Sequence, residues 1–176
     1  MAAKFEVYMI SEAYFDIRQC NTLFSRIGET VFSQDCVIWD SWLPEKEEMV
    51  KIQDGISLKK RLLNGNIIHF QGTIGSFPVG AMQYFGHGQF HTQQWIDTAN
   101  LPELDTDSPN EFCTSFCQSA AERLMELSQQ VNIKFFAMGT EMVLYDSEQL
   151  EEILHKSYHI LYYGMKQNNH FLTCYR

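Results

Sequence analysis

The chain has 176 residues, of which 45% are hydrophobic and 14% aromatic, and it carries a formal net charge of −9 with a pI near 5.0. This composition is too apolar for a disordered chain and fits one domain, which we predict to cover residues 1–176. The negative charge argues against binding to nucleic acid and against docking on an anionic membrane.

The first third of the chain is predicted to alternate strands and helices. Residues 4–10 alternate apolar and polar side chains and are predicted as a strand. Residues 12–32 are predicted as a helix, because apolar side chains recur there at steps of four and three. Residues 36–42 are rich in strand-forming side chains, and residues 57–64 resemble a short helix with Ser57 at its N-cap.

The middle of the chain predicts an antiparallel hairpin. Residues 67–74 and 77–85 are uncharged and flank Gly75-Ser76, a pair typical of turns. Residues 90–96 are predicted to continue this arrangement as a third strand.

The last third begins with the pattern of a capping box. Ser108 is predicted as an N-cap, with proline at the first helical position and Glu111 at the third. The helix that follows has one apolar face, formed by Cys113, Phe116, Ala120, Leu124, Leu127 and Val131. Residues 133–145 are then predicted as a strand, 147–163 as a helix and 170–175 as a final strand.

This order of elements predicts an α+β fold. A hairpin within the order excludes a purely parallel sheet. We therefore expect a mixed or antiparallel sheet of about five to seven strands, with three to four helices packed mainly on one face. No glycine-rich loop follows a strand and opens a helix, so we expect no nucleotide cofactor, and we predict no cofactor of another kind.

The cysteines and the N-terminal residues predict a cytoplasmic protein. Five cysteines without a Cys-x-x-Cys pair are not typical of a secreted disulfide framework. Residues 1–6 lack the apolar core of a signal peptide. The uncharged segment 62–96 contains polar side chains and six glycines, which exclude a membrane-spanning helix.

The most informative feature is a stretch without basic residues. Residues 62–122 contain no lysine or arginine, although the chain has 13 basic residues elsewhere. An acidic loop follows the third hairpin strand within this stretch. A tryptophan beside carboxylates is a common composition for a contact hot spot. The predicted partner-binding residues are Trp95, Asp97, Glu103, Asp105 and Asp107.

These residues favour a non-enzymatic module that binds a basic protein. Carboxylates would raise the rate of association with a basic partner, and Trp95 would supply buried area. An intracellular inhibitor or immunity-type protein that occludes a nuclease or toxin has this character.

Two alternatives remain open at this stage. His87 and His91 would share one face of a strand, and with a carboxylate from the acidic loop they would form the metal site of a small hydrolase. The other alternative is a small-molecule pocket lined by uncharged hairpin residues, which are Phe70, Phe77, Met82, Tyr84 and Phe85. Cys113 and Cys117 are predicted to be core residues rather than nucleophiles.

Overall fold

A computed structural model provides the structure of the chain. It describes residues 3–52, 55–99, 101, 103–104, 110–140, 142, 159–167 and the backbone of 170–175. Among these residues, no helix has the length and apolar character needed to cross a membrane.

Nine strands form one antiparallel sheet. In chain order they are β1 Lys4–Ser11, β2 Val31–Trp39, β3 Glu47–Lys51, β4 Ile67–Ile74, β5 Phe77–Gly86, β6 Gln89–Asp97, β7 Ile133–Thr140, β8 Ile160–Gln167 and β9 His170–Tyr175. Their order across the sheet is β3-β2-β4-β5-β6-β1-β7-β8-β9. Strand β1 therefore lies inside the sheet, between β6 and β7, which agrees with its nearly complete burial.

The described helices are α1, Gly55–Leu63, α2, Glu111–Val131, and a 3₁₀ helix, Ile17–Cys20. Helix α2 begins at the N-cap Asn110, whose side-chain oxygen accepts a hydrogen bond from the Cys113 N–H at 2.8 Å. This satisfies one of the amide groups that a helix start leaves unpaired. All three helices contribute to the main hydrophobic core, so they pack on the same face of the sheet.

The two faces of the sheet are different in character. In β1, Phe5, Val7 and Met9 lie in the main core beneath the helices, while Tyr8 and Ile10 lie in a smaller cluster on the opposite face. This is the two-residue period of a strand. We call the side that carries the helices the helix face and the opposite side the distal face.

The predicted fold class is wrong in its counts of strands and helices. The sheet has nine strands rather than five to seven and is fully antiparallel, and two α-helices are present among the described residues rather than three or four. The coarser statements hold, namely an α+β arrangement with an antiparallel sheet and with the described helices on one face.

The predicted helix over residues 12–32 accounts for part of this error. The segment forms the 3₁₀ helix and consecutive turns, and β2 begins at Val31. Asp16 caps the 3₁₀ helix by accepting a hydrogen bond from the Arg18 N–H. Because successive turns also bring every third or fourth side chain to one side, Ile17, Cys20 and Phe24 are buried without a continuous helix.

Other predictions differ at the ends of elements. Asn110, rather than Ser108, is the N-cap of α2, and Ser108 lies outside the described residues. Most of the predicted helix 147–163 is also outside them, while its last residues belong to strand β8. Strand β3, Glu47–Lys51, is not among the predicted elements. Strands near residues 4–10, 67–74, 77–85, 90–96 and 170–175 are confirmed.

Candidate functional site

The predicted acidic loop after β6, residues 97–111, is called the acidic segment from here on, and two of its described residues are hydrogen-bonded to other parts of the fold. Thr98 donates hydrogen bonds from its backbone N–H (3.0 Å) and its hydroxyl (2.8 Å) to the Ala3 carbonyl. Leu104 is fully buried, and its carbonyl accepts a hydrogen bond from the Thr140 hydroxyl at 3.2 Å. Thr98 and Leu104 are therefore fixed to the rest of the fold at these two points.

The structure places three of the five predicted partner-binding residues. Asp97 is the last residue of β6, and its carboxylate accepts a hydrogen bond from the Ala99 N–H at 2.8 Å. Glu103 is exposed in a turn, and its backbone carbonyl accepts a hydrogen bond from the Asn110 side chain at 2.7 Å. Asp105 and Asp107 lie outside the described residues.

Trp95 lies on the distal face, packed flat against the sheet. Gly80 is directly opposite it in β5, and a Cβ at position 80 would overlap the indole ring. The missing side chain of Gly80 is therefore what allows the ring to cover the strand. On β1, the Lys4 ammonium group lies 4.8 Å from the centre of the ring, within the range of a cation–π contact. The Trp95 ring thus already makes a cation–π contact with Lys4 of its own chain.

The distal face presents a continuous row of side chains across six strands. Adjacent members of this row are paired residues on neighbouring strands, with side chains about 5 Å apart. In sheet order the row consists of Met49, Val37, His69, Met82, Gln93 and Tyr8. Exposure falls along the row, from 74% at Met49 to 3% at Tyr8. The accessible part of the distal face thus extends from β3 to β6.

Several aromatic rings lie beside this row. The Tyr84 ring stacks on His91, with centroids 4.5 Å apart, and its edge is covered by the ring of Trp42 at 5.0 Å. The Trp39 ring contacts His69, with centroids 3.8 Å apart. Aromatic pairs of this kind fix the side chains in place and contribute to stability beyond their buried area.

The two histidines of the hydrolase alternative lie in different settings. His87 is exposed in the β5–β6 turn with a φ of 50°, whereas His91 is almost fully buried in β6. The Nδ1 of His91 is hydrogen-bonded to the Tyr8 hydroxyl, and its Nε2 is 3.1 Å from the Gly86 carbonyl. Both ring nitrogens are therefore occupied. Within the described part of the chain, no three histidine, cysteine or acidic side chains come together as a metal site.

The residues of the small-molecule alternative do not line one space. The strand register places Phe70 and Phe85 on the helix face, and it places Met82 and Tyr84 on the distal face. The sheet itself separates these two pairs.

The cysteines with described side chains are core residues, which confirms the prediction for Cys113 and Cys117. Burial raises the pKa of the Cys20 thiol to about 12 and that of Cys36 to about 11. Thiols in this condition are poor nucleophiles, because the reactive thiolate is scarcely populated.

Sequence reasoning did not identify His69, Met49 and Val37 of the distal face, and it did not place Met82 and Tyr84 on one surface with Trp95. The signal was present in β4, where His69 and Gln71 alternate with Ile68 and Phe70. This alternation distinguishes the two faces of one strand, but it does not show which side chains of neighbouring strands are adjacent.

No protein-family model, curated protein or solved structure matches this chain.

Proposed function

We propose that this protein is a non-enzymatic module that binds a basic protein through the accessible part of its distal face and the adjoining acidic segment. The observation that carries the proposal is the composition of β4, β5 and β6. These three neighbouring strands contain no lysine or arginine, and they present Met82, Tyr84 and Trp95 half-buried on the distal face.

The charge distribution supports a basic partner. Asp97 ends β6, Glu103 is exposed in the turn that follows, and the chain as a whole carries a net charge of −9. Lys4, over the Trp95 ring, and Lys51 of β3 also lie on this side, so the attraction depends on the excess of carboxylates. It acts over roughly a Debye length, about 10 Å at moderate salt. Nucleic acid and anionic lipid would be repelled by the same field.

The side chains of the face support protein contact. Tryptophan, tyrosine and methionine are enriched in protein interfaces, where they bury large areas. Trp42, at the edge of the Tyr84 ring, is 55% exposed and would extend the contact area. If the partner uses the covered surface for catalysis or for binding nucleic acid, the module acts as an inhibitor of the immunity type by steric occlusion.

The hydrolase alternative receives less support from the geometry. It requires His91 as a ligand or a base, and both ring nitrogens of His91 already have partners. Binding of a partner requires only the accessible part of the distal face and the acidic segment.

The test is capture of a partner from the organism that encodes the chain, followed by affinity measurements with the purified partner. We expect Trp95→Ala to raise the Kd about 30-fold, equivalent to about 2 kcal/mol, since a central tryptophan is a typical hot spot. Leu63→Ala is the control, because it removes an exposed apolar side chain of α1 on the helix face. Circular dichroism checks that both variants are folded.

Two outcomes would contradict the proposal. One is that no basic protein is retained in stoichiometric amount at about 50 mM salt, where attraction between charges is only weakly screened. The other is that Trp95→Ala and Leu63→Ala bind the captured protein equally well.

A further inference from the structure

A β-bulge interrupts the pairing of β2 with β4 on the accessible side of the sheet. Residues 33–35 of β2 lie opposite Gln71 alone, since the register shifts between Phe32 and Cys36. The Ser33 hydroxyl accepts a hydrogen bond from the Asp35 N–H at 3.1 Å and fixes the bulge. Bulges redirect side chains and are over-represented next to functional sites.

A hollow lies beside this bulge. Its volume is about 130 Å³, enough for one side chain but not for a substrate of ordinary size. Residues from three strands surround it, mainly Ser33, Asp35, Val37, Met49, His69 and Gln71. Val37, Met49 and His69 belong to the row of the distal face, so the hollow is part of the proposed binding surface.

The lining combines an apolar wall with an acidic end. Val37 and Met49 provide the wall, and Met49 is 74% exposed at its rim. None of the ion pairs among the described residues includes Asp35, although Lys51 lies opposite it in β3. A lysine or arginine side chain matches this lining, because its aliphatic stem suits the apolar wall and its charged group suits the acidic end.

His69 does not oppose a cation in this hollow. Burial lowers the pKa of its imidazole to about 4, so the ring is neutral at pH 7. Its Nε2 is buried without a hydrogen-bond partner among the described residues. A neutral ring with unmet hydrogen-bonding capacity can accommodate a cationic group next to it, whereas an imidazolium would repel one.

We propose that the hollow between β2, β3 and β4 receives one lysine or arginine side chain of the partner, with its stem on Val37 and Met49 and its charged group on Asp35. The inference rests on the proposed function and specifies the chemistry of the partner at one point. It also adds Asp35, Met49 and His69 to the binding residues, all of them on strands remote from the acidic segment.

The test needs no natural partner. The ¹⁵N,¹³C-labelled full chain is titrated with N-acetyl-arginine methylamide and N-acetyl-lysine methylamide, and with N-acetyl-norleucine methylamide as the neutral isostere. We expect saturable shifts of the Met49 methyl, the His69 ring and the Gln71 side-chain amide in the millimolar range for at least one basic amide. The affinity should exceed that of the norleucine amide about fivefold or more, since a charged contact adds to the apolar one.

Asp35→Asn should reduce the affinity for the basic amide about fivefold or more and leave that for the norleucine amide unchanged. Glu122→Gln, an exposed acid of α2 on the helix face, is the matched control and should bind like the wild type. Equal binding of the norleucine amide, shifts confined to other residues, or no saturable binding by either basic amide would overturn the inference. In each of these cases the proposed function would still stand if Trp95→Ala weakened binding of the captured partner.

Discussion

At the scale of single residues, His69 and Trp95 show how the sheet creates polar and aromatic contacts that the sequence does not reveal. Trp95 could be selected from the sequence because it adjoins carboxylates. His69 could not, because its environment comes from Val37 and Met82 on neighbouring strands and from the ring of Trp39. Side chains this far apart along the chain become neighbours only through strand register.

The buried imidazole of His69 predicts acid sensitivity. Its pKa is about 4 in the folded state instead of the usual 6.5, so between these values the unfolded chain binds more protons. The free energy of unfolding should therefore fall as the pH is lowered from 6.5 to 4, by about 1–2 kcal/mol after allowance for partial exposure. Urea denaturation at pH 7 and 4.5 measures this loss in the wild type and in His69→Gln.

The His69→Gln variant should lack this part of the acid sensitivity. His87→Asn is the matched control, since it removes an exposed histidine and asparagine tolerates the φ of 50° at that position. Identical pH dependence in the wild type and His69→Gln would show that His69 is not buried in its neutral form.

At the scale of elements, the sequence predicted those strands and helices whose pattern has only one structural solution. Strands β4 and β5 were predicted because alternation on both sides of Gly75-Ser76 fits only a hairpin. Helix α2 was predicted because its apolar face persists over about six turns. The apolar side chains of residues 12–32 recur at a similar spacing, but a series of turns produces the same spacing without a continuous helix. Strand β3 was missed because charged side chains, which look like a solvated run, are common on sheet edges.

The contact between β5 and β6 at Gly80 gives a prediction about these elements. Gly80→Ala would insert a methyl group into the indole ring of Trp95, and we expect a loss of about 1–3 kcal/mol in the free energy of unfolding. In the same strand, a Cβ at Gly86 would meet its nearest neighbour at 3.6 Å, an ordinary contact. Gly86→Ala should therefore cost less than about 0.5 kcal/mol.

Urea denaturation of both alanine variants checks this difference. The loss in free energy of unfolding for the double variant Gly80→Ala/Trp95→Ala should be smaller than the sum of the losses for the two single variants, because the clash disappears with the ring. Equal losses for Gly80→Ala and Gly86→Ala would contradict the packing of Trp95 on Gly80.

At the scale of the whole molecule, charge and sheet architecture support the same proposal. The absence of basic residues from 62 to 122 is visible in the sequence. The sheet adds that this stretch supplies β4, β5 and β6, which are three adjacent strands of the five that form the accessible distal face. The sequence could therefore draw attention to this stretch and to Asp97 and Glu103 within it. It could not predict the extent of the surface, because the surface depends on the order of all nine strands.

The measurement that tests the central claim most directly is the rate constant of association with the captured partner as a function of salt. Glu103→Lys should reduce this rate about tenfold at low salt and flatten its salt dependence, because the acidic segment would no longer attract the partner. Glu122→Lys makes the same change in net charge on the helix face and should have a much smaller effect. Equal effects of the two variants, or a wild-type rate that does not depend on salt, would contradict binding of a basic protein at this face.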